Sequence, residues 1–160
     1  MATSRTVVLY GAHGQTRILL CDAASPINLT PDNGLWGVTG VEYGTRKVAG
    51  SPGERVETVR RTPRTFSVPV IIKGDTELEV DQRLGELESI LDPSRDVRIV
   101  FRRPDNTSRE ITARYLSGAE NLAVKYPIHR QIKVPLVFRA HYPFWRSSDG
   151  LGAYDASFND

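Results

Sequence analysis

The chain has 160 residues, of which 39% are hydrophobic and 25% are charged, and its formal net charge is +2. This length suits a single domain that buries roughly 70% of the surface exposed by its unfolded chain. Cys21 is the only cysteine, which excludes an internal disulfide and a cysteine-based zinc site. The sequence shows no signal-peptide pattern and no long apolar run, which predicts synthesis in the cytoplasm.

Short apolar runs separated by turn residues predict strands in the first part of the chain. Thr6 to Tyr10 and Thr16 to Leu20 surround a turn at Gly11 to Gly14 and predict an opening hairpin. Pro26 to Asn33 predicts a loop or an irregular edge, and Leu35 to Tyr43 predicts a further strand interrupted by glycines. These segments indicate a β-rich domain from its first residues.

A long connection is predicted from Gly44 to Thr62, with the turn residues Gly50-Ser-Pro-Gly53 near its middle. Loops of this length in compact domains are usually functional. From Gly44 to Arg64 the chain has six basic and two acidic residues, a local net charge of +4. From Asp75 to Leu91 it has six acidic residues and one arginine, a net charge of −5. Two such segments can attract copies of the chain to each other, although solvated surfaces explain them equally well.

The middle of the chain predicts a strand followed by the only helix. Arg64 to Ile72 alternates in polarity, with apolar residues at every second position and Pro69 on the outward row. Thr76-Glu-Leu-Glu79 is a capping-box pattern, and the apolar row that follows ends before Asp92-Pro93. The helix is therefore expected to carry its acidic residues on a solvated face, with Glu79 and Arg83 as an i,i+4 ion pair.

The last third of the chain predicts a hairpin and a long strand. Asp96 to Arg102 and Arg109 to Leu116 alternate in polarity around the turn Arg103 to Asn106. Ile128 to Ala140 alternates over a longer stretch, with Pro135 on its outward row, and leads into the aromatic residues of Tyr142 to Trp145. Because proline cannot donate a ladder hydrogen bond, Pro135 predicts a free or specially paired side of its strand.

Taken together, the pattern predicts a mainly β fold: a β-sandwich or small barrel with one flanking helix. We expect the domain to extend over residues 1–145 and residues 146–160, which are rich in Ser, Gly, Asp and Ala, to form a linker or arm.

The sequence patterns that would indicate a catalytic or ligand-binding site are weak. The segment Tyr10 to Thr16 lacks the lysine and the helix of a phosphate-binding loop, and the spacing of His13, His129 and His141 suits no metal. No serine has the surroundings of a nucleophile elbow. Aromatic residues after a core strand, such as Tyr142 and Trp145, pack more often than they stack on a sugar. We therefore expect no enzyme activity, no cofactor and no metal site.

The order of several segments resembles the N-terminal domain of siphophage distal tail proteins. The segments run from the opening Leu9-Tyr-Gly-Ala-His-Gly14 and Ile18-Leu-Leu20 to Val68-Pro-Val-Ile-Ile-Lys-Gly74, Leu91-Asp-Pro93, Arg103-Pro-Asp-Asn106, Ala113-Arg-Tyr-Leu-Ser-Gly118 and Val134 to Trp145. The resemblance covers about Val7 to Trp145, and His141 departs from it because the family often has an acidic residue there.

The resemblance implies a structural virion protein of the tail tip. In that family a hexameric ring joins the tail tube to the baseplate hub and leaves a channel through which DNA passes without specific binding. A ring needs a head-to-tail interface, in which two different surfaces of identical subunits meet. We expect that interface to involve the basic segment, the acidic helix and the two strands with outward prolines, that is Arg46, Lys47, Arg55, Arg60, Arg61, Arg64, Glu86, Glu88, Pro69 and Pro135.

Two other functions fit the same pattern. A non-catalytic carbohydrate-binding β-sandwich would be a monomer with a strip of aromatic residues on one face. A phage tail-tube protein would form stacked rings instead of one or two. Both alternatives remain open from the sequence.

Overall fold

A computed structural model of the chain describes residues 6–11, 17–20, 25–31, 33–50, 52–105, 107–120 and 130–147. These residues form ten strands and one helix: β1 Thr6–Tyr10, β2 Arg17–Leu19, β3 Ile27–Leu29, β4 Val41–Lys47, β5 Glu54–Arg61, β6 Arg64–Lys73, α1 Glu77–Ile90, β7 Asp96–Arg102, β8 Ser108–Ser117, β9 Gln131–Ala140 and β10 Arg146–Ser147.

The main sheet is antiparallel, and its strands follow the order β2-β1-β7-β8-β9-β6-β3, with β10 added to β8. The two ends of this order come together, because the Leu29 N–H donates to the Leu20 carbonyl at 2.6 Å and the Leu20 N–H donates to the Val7 carbonyl at 2.7 Å. The sheet is therefore rolled around its core. The prediction of a mainly β fold with one flanking helix is confirmed.

The core is built by the inward rows of the long strands. Val70, Val134, Leu136 and Phe138 are completely buried, and β6 pairs with β9 along its whole length. The inward residues of the predicted β7–β8 hairpin complete the sheet's inner face, as Ile99 pairs with Ile111. Alternation therefore predicted these four strands correctly, because one face of each is in the core.

Helix α1 packs an apolar row against this core. The row consists of Val80, Leu84, Leu87 and Ile90. The sequence predicted these four residues together with Leu91, which is the C-cap of the helix. At the N-terminus the Thr76 hydroxyl accepts a hydrogen bond from the Glu79 N–H, which satisfies one of the amides that a helix leaves unpaired. Glu79 forms the predicted ion pair with Arg83 at 3.6 Å. The acidic residues on the other side of the helix remain exposed, among them Asp81, Glu86 and Glu88.

Three predictions for the chain before β6 need correction. The segment Pro26 to Asn33 contains the short edge strand β3, which pairs with the end of β6. The strand predicted from Leu35 begins at Val41, and Gly37 before it adopts a φ of +139°. The prediction of a long loop from Gly44 to Thr62 is wrong, because most of this segment forms β4 and β5, which pair with each other. Part of the opening turn, including His13, lies outside the described residues, as does His129.

The two outward prolines do not mark a free edge. Pro69 lies directly opposite Pro135, and both strands are in the interior of the sheet order. The Pro69 carbonyl points away from β9 and accepts from the Thr30 N–H at 2.9 Å, as expected for a non-hydrogen-bonded pair, in which neither proline needs to donate to the other strand. Pro69 is also buried instead of solvated. Of the two predicted possibilities, the free side is therefore wrong and the specially paired side is observed. A proline's local signal does not reveal which strand is its partner.

A hydrogen-bonded turn closes the end of β8. The Tyr115 hydroxyl donates to Glu120 Oε1 at 2.8 Å and accepts from the Ala119 N–H at 2.7 Å. The Gly118 N–H donates to Glu120 Oε2 at 2.6 Å. Burial of the phenol, together with the Glu120 carboxylate, raises the pKa of Tyr115 to about 12. The same hydrogen bonds, first that from the Gly118 N–H, lower the pKa of Glu120.

The raised pKa of Tyr115 predicts that the fold loses stability at high pH. An unfolded tyrosine ionises near its ordinary pKa of 10, whereas folded Tyr115 keeps its proton up to a pH of about 12. Its contribution to the free energy of unfolding is therefore fully present below pH 10 and falls as the pH rises from 10 to 12, by on the order of 1 to 3 kcal/mol. Urea unfolding of the wild type and of Tyr115→Phe below and above pH 10 measures the difference. Equal pH dependence of the two proteins would contradict the assignment.

Candidate interaction surface

Strands β4 and β5 form a two-stranded hairpin, here called the arm, that covers residues 41–61. Every residue of β5 is exposed, and so is every residue of β4 except Val41. Their main-chain pairing is with each other and not with the eight-stranded sheet. A bulge between Gly44 and Thr45 shifts the register at mid-length. Gly50 and Gly53, with φ angles of +81° and +101°, lie between the strands and supply the left-handed conformations of the connecting turn.

The middle of one face of the arm is apolar, with Arg61 at one end of this face and the pair Lys47–Glu54 at the other, and the sequence did not predict this row. Tyr43 lies directly opposite Val59, and Thr45 opposite Val56 across the bulge, so these side chains share a face. Tyr43, Val59 and Val56 are 62%, 59% and 51% exposed. Three large apolar side chains in a row without a core behind them form a patch of the kind that marks an interaction site. The signal in the sequence is the spacing Val41, Tyr43 and Val56, Val59, which the basic residues around it obscured.

The opposite face of the arm is basic. Arg46 lies directly opposite Arg55, and Arg60 lies opposite Glu42. Like charges that face each other across two strands destabilise the pair. Arg46 has a partial compensation in Glu57 at 3.7 Å, where both side chains are largely exposed. An acidic surface laid against this face would remove the repulsion between the two arginines.

The predicted interface residues are therefore divided among several places. Five of the six basic residues are exposed on the arm, namely Arg46, Lys47, Arg55, Arg60 and Arg61. Glu86 and Glu88 are exposed on α1. Within the described part of the chain, the ion pair of the arm, Arg46–Glu57, is internal, and no ion pair joins the arm to these two glutamates.

Arg64 has a different position and role. It is 8% exposed, and its guanidinium donates to the carbonyls of Leu35 and Gly34 while lying 5.4 Å from the centre of the Phe66 ring. Burial lowers the pKa of Arg64. These contacts attach the segment before β4 to the start of β6, so both ends of the arm are fixed to the domain. Two of its N–H groups are therefore used within the chain, and it lies apart from the exposed basic residues of the arm.

The described residues show little that resembles a small-molecule site. Their buried side-chain nitrogen and oxygen atoms all have hydrogen-bond partners. No group of His, Cys, Asp or Glu in this part of the chain is arranged to hold a metal ion. The two best-defined depressions are open, one near Asp75 and Arg130 and one at the tip of the arm. In the same residues, no helix is both long and apolar enough to span a bilayer.

Residues 27–119, which include the arm and the acidic helix, match the family of the phage tail protein RIFT-related domain. The chain belongs to this family. The predicted resemblance to siphophage distal tail proteins is thereby confirmed, and the family has a structural role in phage tails. No curated protein matches the chain in sequence.

Solved structures share its fold. The crystal structure of the SPP1 Dit protein, described as a paradigm of the hub adsorption apparatus in phages that infect Gram-positive hosts, matches 88% of the chain with 23% identity and a TM-score of 0.56. Two structures of the phage P2 baseplate in its activated conformation, with Ca and with Sr, each match 89% of it with TM-scores of 0.65 and 0.60 and identities of 11% and 10%. The matched region spans 52% of the Dit chain and 45% of the baseplate chains, so it corresponds to about half their length.

Proposed function

We propose that the chain is a non-catalytic hub subunit that forms a hexameric ring at the tail tip of a phage. The ring joins the tail tube to the baseplate or tail-tip protein, and its channel lets DNA pass without specific binding. The subunits are made in the host cytoplasm before they enter the virion. The family supports a role in the tail, and the exposed arm is the observation that favours a closed assembly.

The arm needs a partner for a physical reason. An isolated two-stranded hairpin is at most marginally stable in water, and this one has apolar side chains on one face and opposed arginines on the other. In a ring, each subunit can receive the arm of one neighbour and extend its own arm to the next. One contact repeated around the ring therefore covers every arm.

We propose that the receiving surface includes the exposed side of α1. This helix has Glu77, Glu79, Asp81, Glu86 and Glu88 in fourteen residues, and Arg83 is its only basic residue. The basic face of the arm is opposite to it in charge. Electrostatic attraction of this kind directs association and fixes the orientation of partners more than it adds affinity. The strands with Pro69 and Pro135 remain predicted to border the interface, now as a paired surface and not as an edge.

The oligomeric state distinguishes the three candidate functions. Mass in solution together with negative-stain electron microscopy of the purified chain should show closed six-membered rings. Long stacks of rings would favour a tail-tube protein. A monomer at all concentrations would contradict the hub and leave the carbohydrate-binding function, which glycan binding would test directly.

Exchanging charges between the arm and the helix tests the proposed contact. We expect Arg55→Glu and Glu86→Lys each to weaken ring formation, because each places like charges against each other. The double variant should restore assembly, since it reverses both charges and recreates an attractive pair. Sedimentation velocity at low ionic strength, where surface charges are least screened, gives the fraction of rings.

Arg55→Lys is the matched control, because it changes the side chain and keeps its charge. It should assemble nearly as well as the wild type. Additive losses in the double variant would show that the two residues do not meet across the interface.

A further inference from the structure

The arm has two open edges in addition to its two faces. Its sheet consists of β4 and β5, so within the described residues no further strand pairs with the outer edge of either one. An edge strand presents a row of unpaired N–H and C=O groups, which favours pairing with a strand of another chain. These edges are separate from the apolar and basic faces, because main-chain groups point along a sheet and side chains point out of it.

The pairing pattern identifies the main-chain groups that point outward. The Thr62 N–H donates to the Gly40 carbonyl at 3.1 Å, and the register of the arm places these two residues opposite each other, so they form a hydrogen-bonded pair. Hydrogen-bonded and non-hydrogen-bonded pairs alternate along an antiparallel ladder. The next pair and the third pair after it are therefore non-hydrogen-bonded, and their N–H and C=O groups point away from the partner strand. These pairs are Val41–Arg61 and Tyr43–Val59.

The outward groups of β4 match those of β5. The outer edge of β5 in one copy can lie beside the outer edge of β4 in the next copy, in the same register as within the arm. Tyr43 of one copy then faces Val59 of the other, and Val41 faces Arg61, as hydrogen-bonded pairs. Every outward group of these four residues gains a partner. The new pair of strands is antiparallel, because β4 and β5 are antiparallel and the arm is repeated in one orientation.

The side chains fit this register as well. Glu42 lies opposite Arg60 within the arm, and Lys47 lies opposite Glu54 near its tip. A repeat in the same register places each of these residues beside an opposite charge of the next copy. On the apolar face, Tyr43, now 62% exposed, gains a second valine neighbour. The remaining charged row, with its two opposed arginines, is the one that the acidic helix is proposed to neutralise.

We propose that neighbouring subunits of the ring pair their arms edge to edge, so that β5 of one copy and β4 of the next form a continuous antiparallel sheet. This inference rests on the proposed ring and adds the main-chain contact that joins its copies. Repetition of the order β4-β5 by rotation leaves no open edge once the ring closes. The arm also gains the further strands that a lone hairpin needs for stability.

Disulfide cross-linking of mixed copies tests the pairing. Glu42→Cys and Arg60→Cys are made as separate full-length proteins, each with Cys21→Ser, and are mixed before assembly. Separate proteins are needed because the two positions also lie opposite each other within one arm. In the proposed sheet the two positions of adjacent copies form a non-hydrogen-bonded pair with Cα atoms about 4.5 Å apart, which a disulfide can bridge. We expect covalent dimers that contain one protein of each kind, and we expect them only in the mixture.

The matched control replaces Arg60→Cys by Leu116→Cys, because Leu116 is also exposed but lies outside the arm. This mixture should give no covalent dimers. Mass photometry of each mixture before oxidation shows whether rings have formed.

Hydrogen exchange of the unaltered protein gives a second test that needs no substitution. The amides of Val41, Tyr43, Val59 and Arg61 should exchange rapidly in dilute subunits and more slowly in rings, by about tenfold or more. Residue-resolved mass spectrometry at several protein concentrations measures this change. It decides the question if a cysteine variant does not assemble.

The proposal requires both the mixed dimers and the protected amides. Assembled rings that lack either result would overturn edge pairing and leave the hub function unaffected. Protection without mixed dimers would mean that another segment covers the edges. Dimers that one cysteine variant forms alone would indicate a two-fold contact and would also overturn it. A wild-type chain that forms no rings at any concentration would instead contradict the proposed function itself.

Discussion

Serine in place of both Tyr43 and Val59 is expected to abolish ring formation and to leave the subunit folded. The two side chains lie directly opposite each other on the apolar face of the arm and are 62% and 59% exposed. In the single subunit their removal costs little, since a cross-strand pair contributes about 0.2 to 1 kcal/mol. In a covered interface, loss of a central aromatic residue alone typically costs about 2 kcal/mol or more. The same loss occurs at every contact of a closed ring, so the effect on assembly is large.

Two measurements on the same proteins separate assembly from folding. Mass photometry gives the fraction of rings, and urea unfolding gives the stability of the subunit. Leu116→Ser is the matched control, because Leu116 is 53% exposed and lies at the bulge of β8, outside the arm. Rings that persist in the arm variant, or that disappear equally in the control, would show that the apolar face of the arm is not part of the interface.

The sequence predicted those elements that have one face in the core. Strands β6 to β9 and helix α1 show clear alternation or helical periodicity, because burial selects apolar residues on one side only. The arm has no such selection within a single subunit. Both of its faces are exposed here, so its pattern of valines and arginines did not distinguish two strands from a loop.

The candidate site was predicted in part for the same reason. Charge alone placed the basic arm residues and the acidic helix correctly on the surface, but it could not separate Arg64 from the others. That arginine is buried because the carbonyls of Gly34 and Leu35, thirty and twenty-nine residues away, accept its hydrogen bonds. The pairing of Pro69 with Pro135 is likewise a contact between distant parts of the chain. Local patterns carry no information about such partners.

Alanine at Gly118 is expected to destabilise the fold by at least about 3 kcal/mol, which is in the range of the most damaging single substitutions. Gly118 has a φ of +117°, which residues with a Cβ rarely adopt, and a Cβ there would lie 1.6 Å from the Pro135 carbonyl oxygen and 2.6 Å from its carbon. Both are main-chain atoms of β9 in the middle of the sheet, so neither can move aside as a flexible side chain would. The turn with Tyr115 and Glu120 would have to open, which also breaks its hydrogen bonds.

Gly53→Ala separates the effect of the left-handed conformation from that of the close approach. Gly53 has a similar φ of +101°, and a Cβ there would meet no atom within 4 Å. Its substitution should therefore cost only the conformational penalty, about 1 kcal/mol. Urea unfolding of both variants gives the two losses. If they were equal, the contact between Gly118 and Pro135 would contribute nothing, and the end of β8 would not need to lie so close to β9. A much larger loss at Gly118 is expected, because only there do the strain in φ and the contact with the main chain occur together.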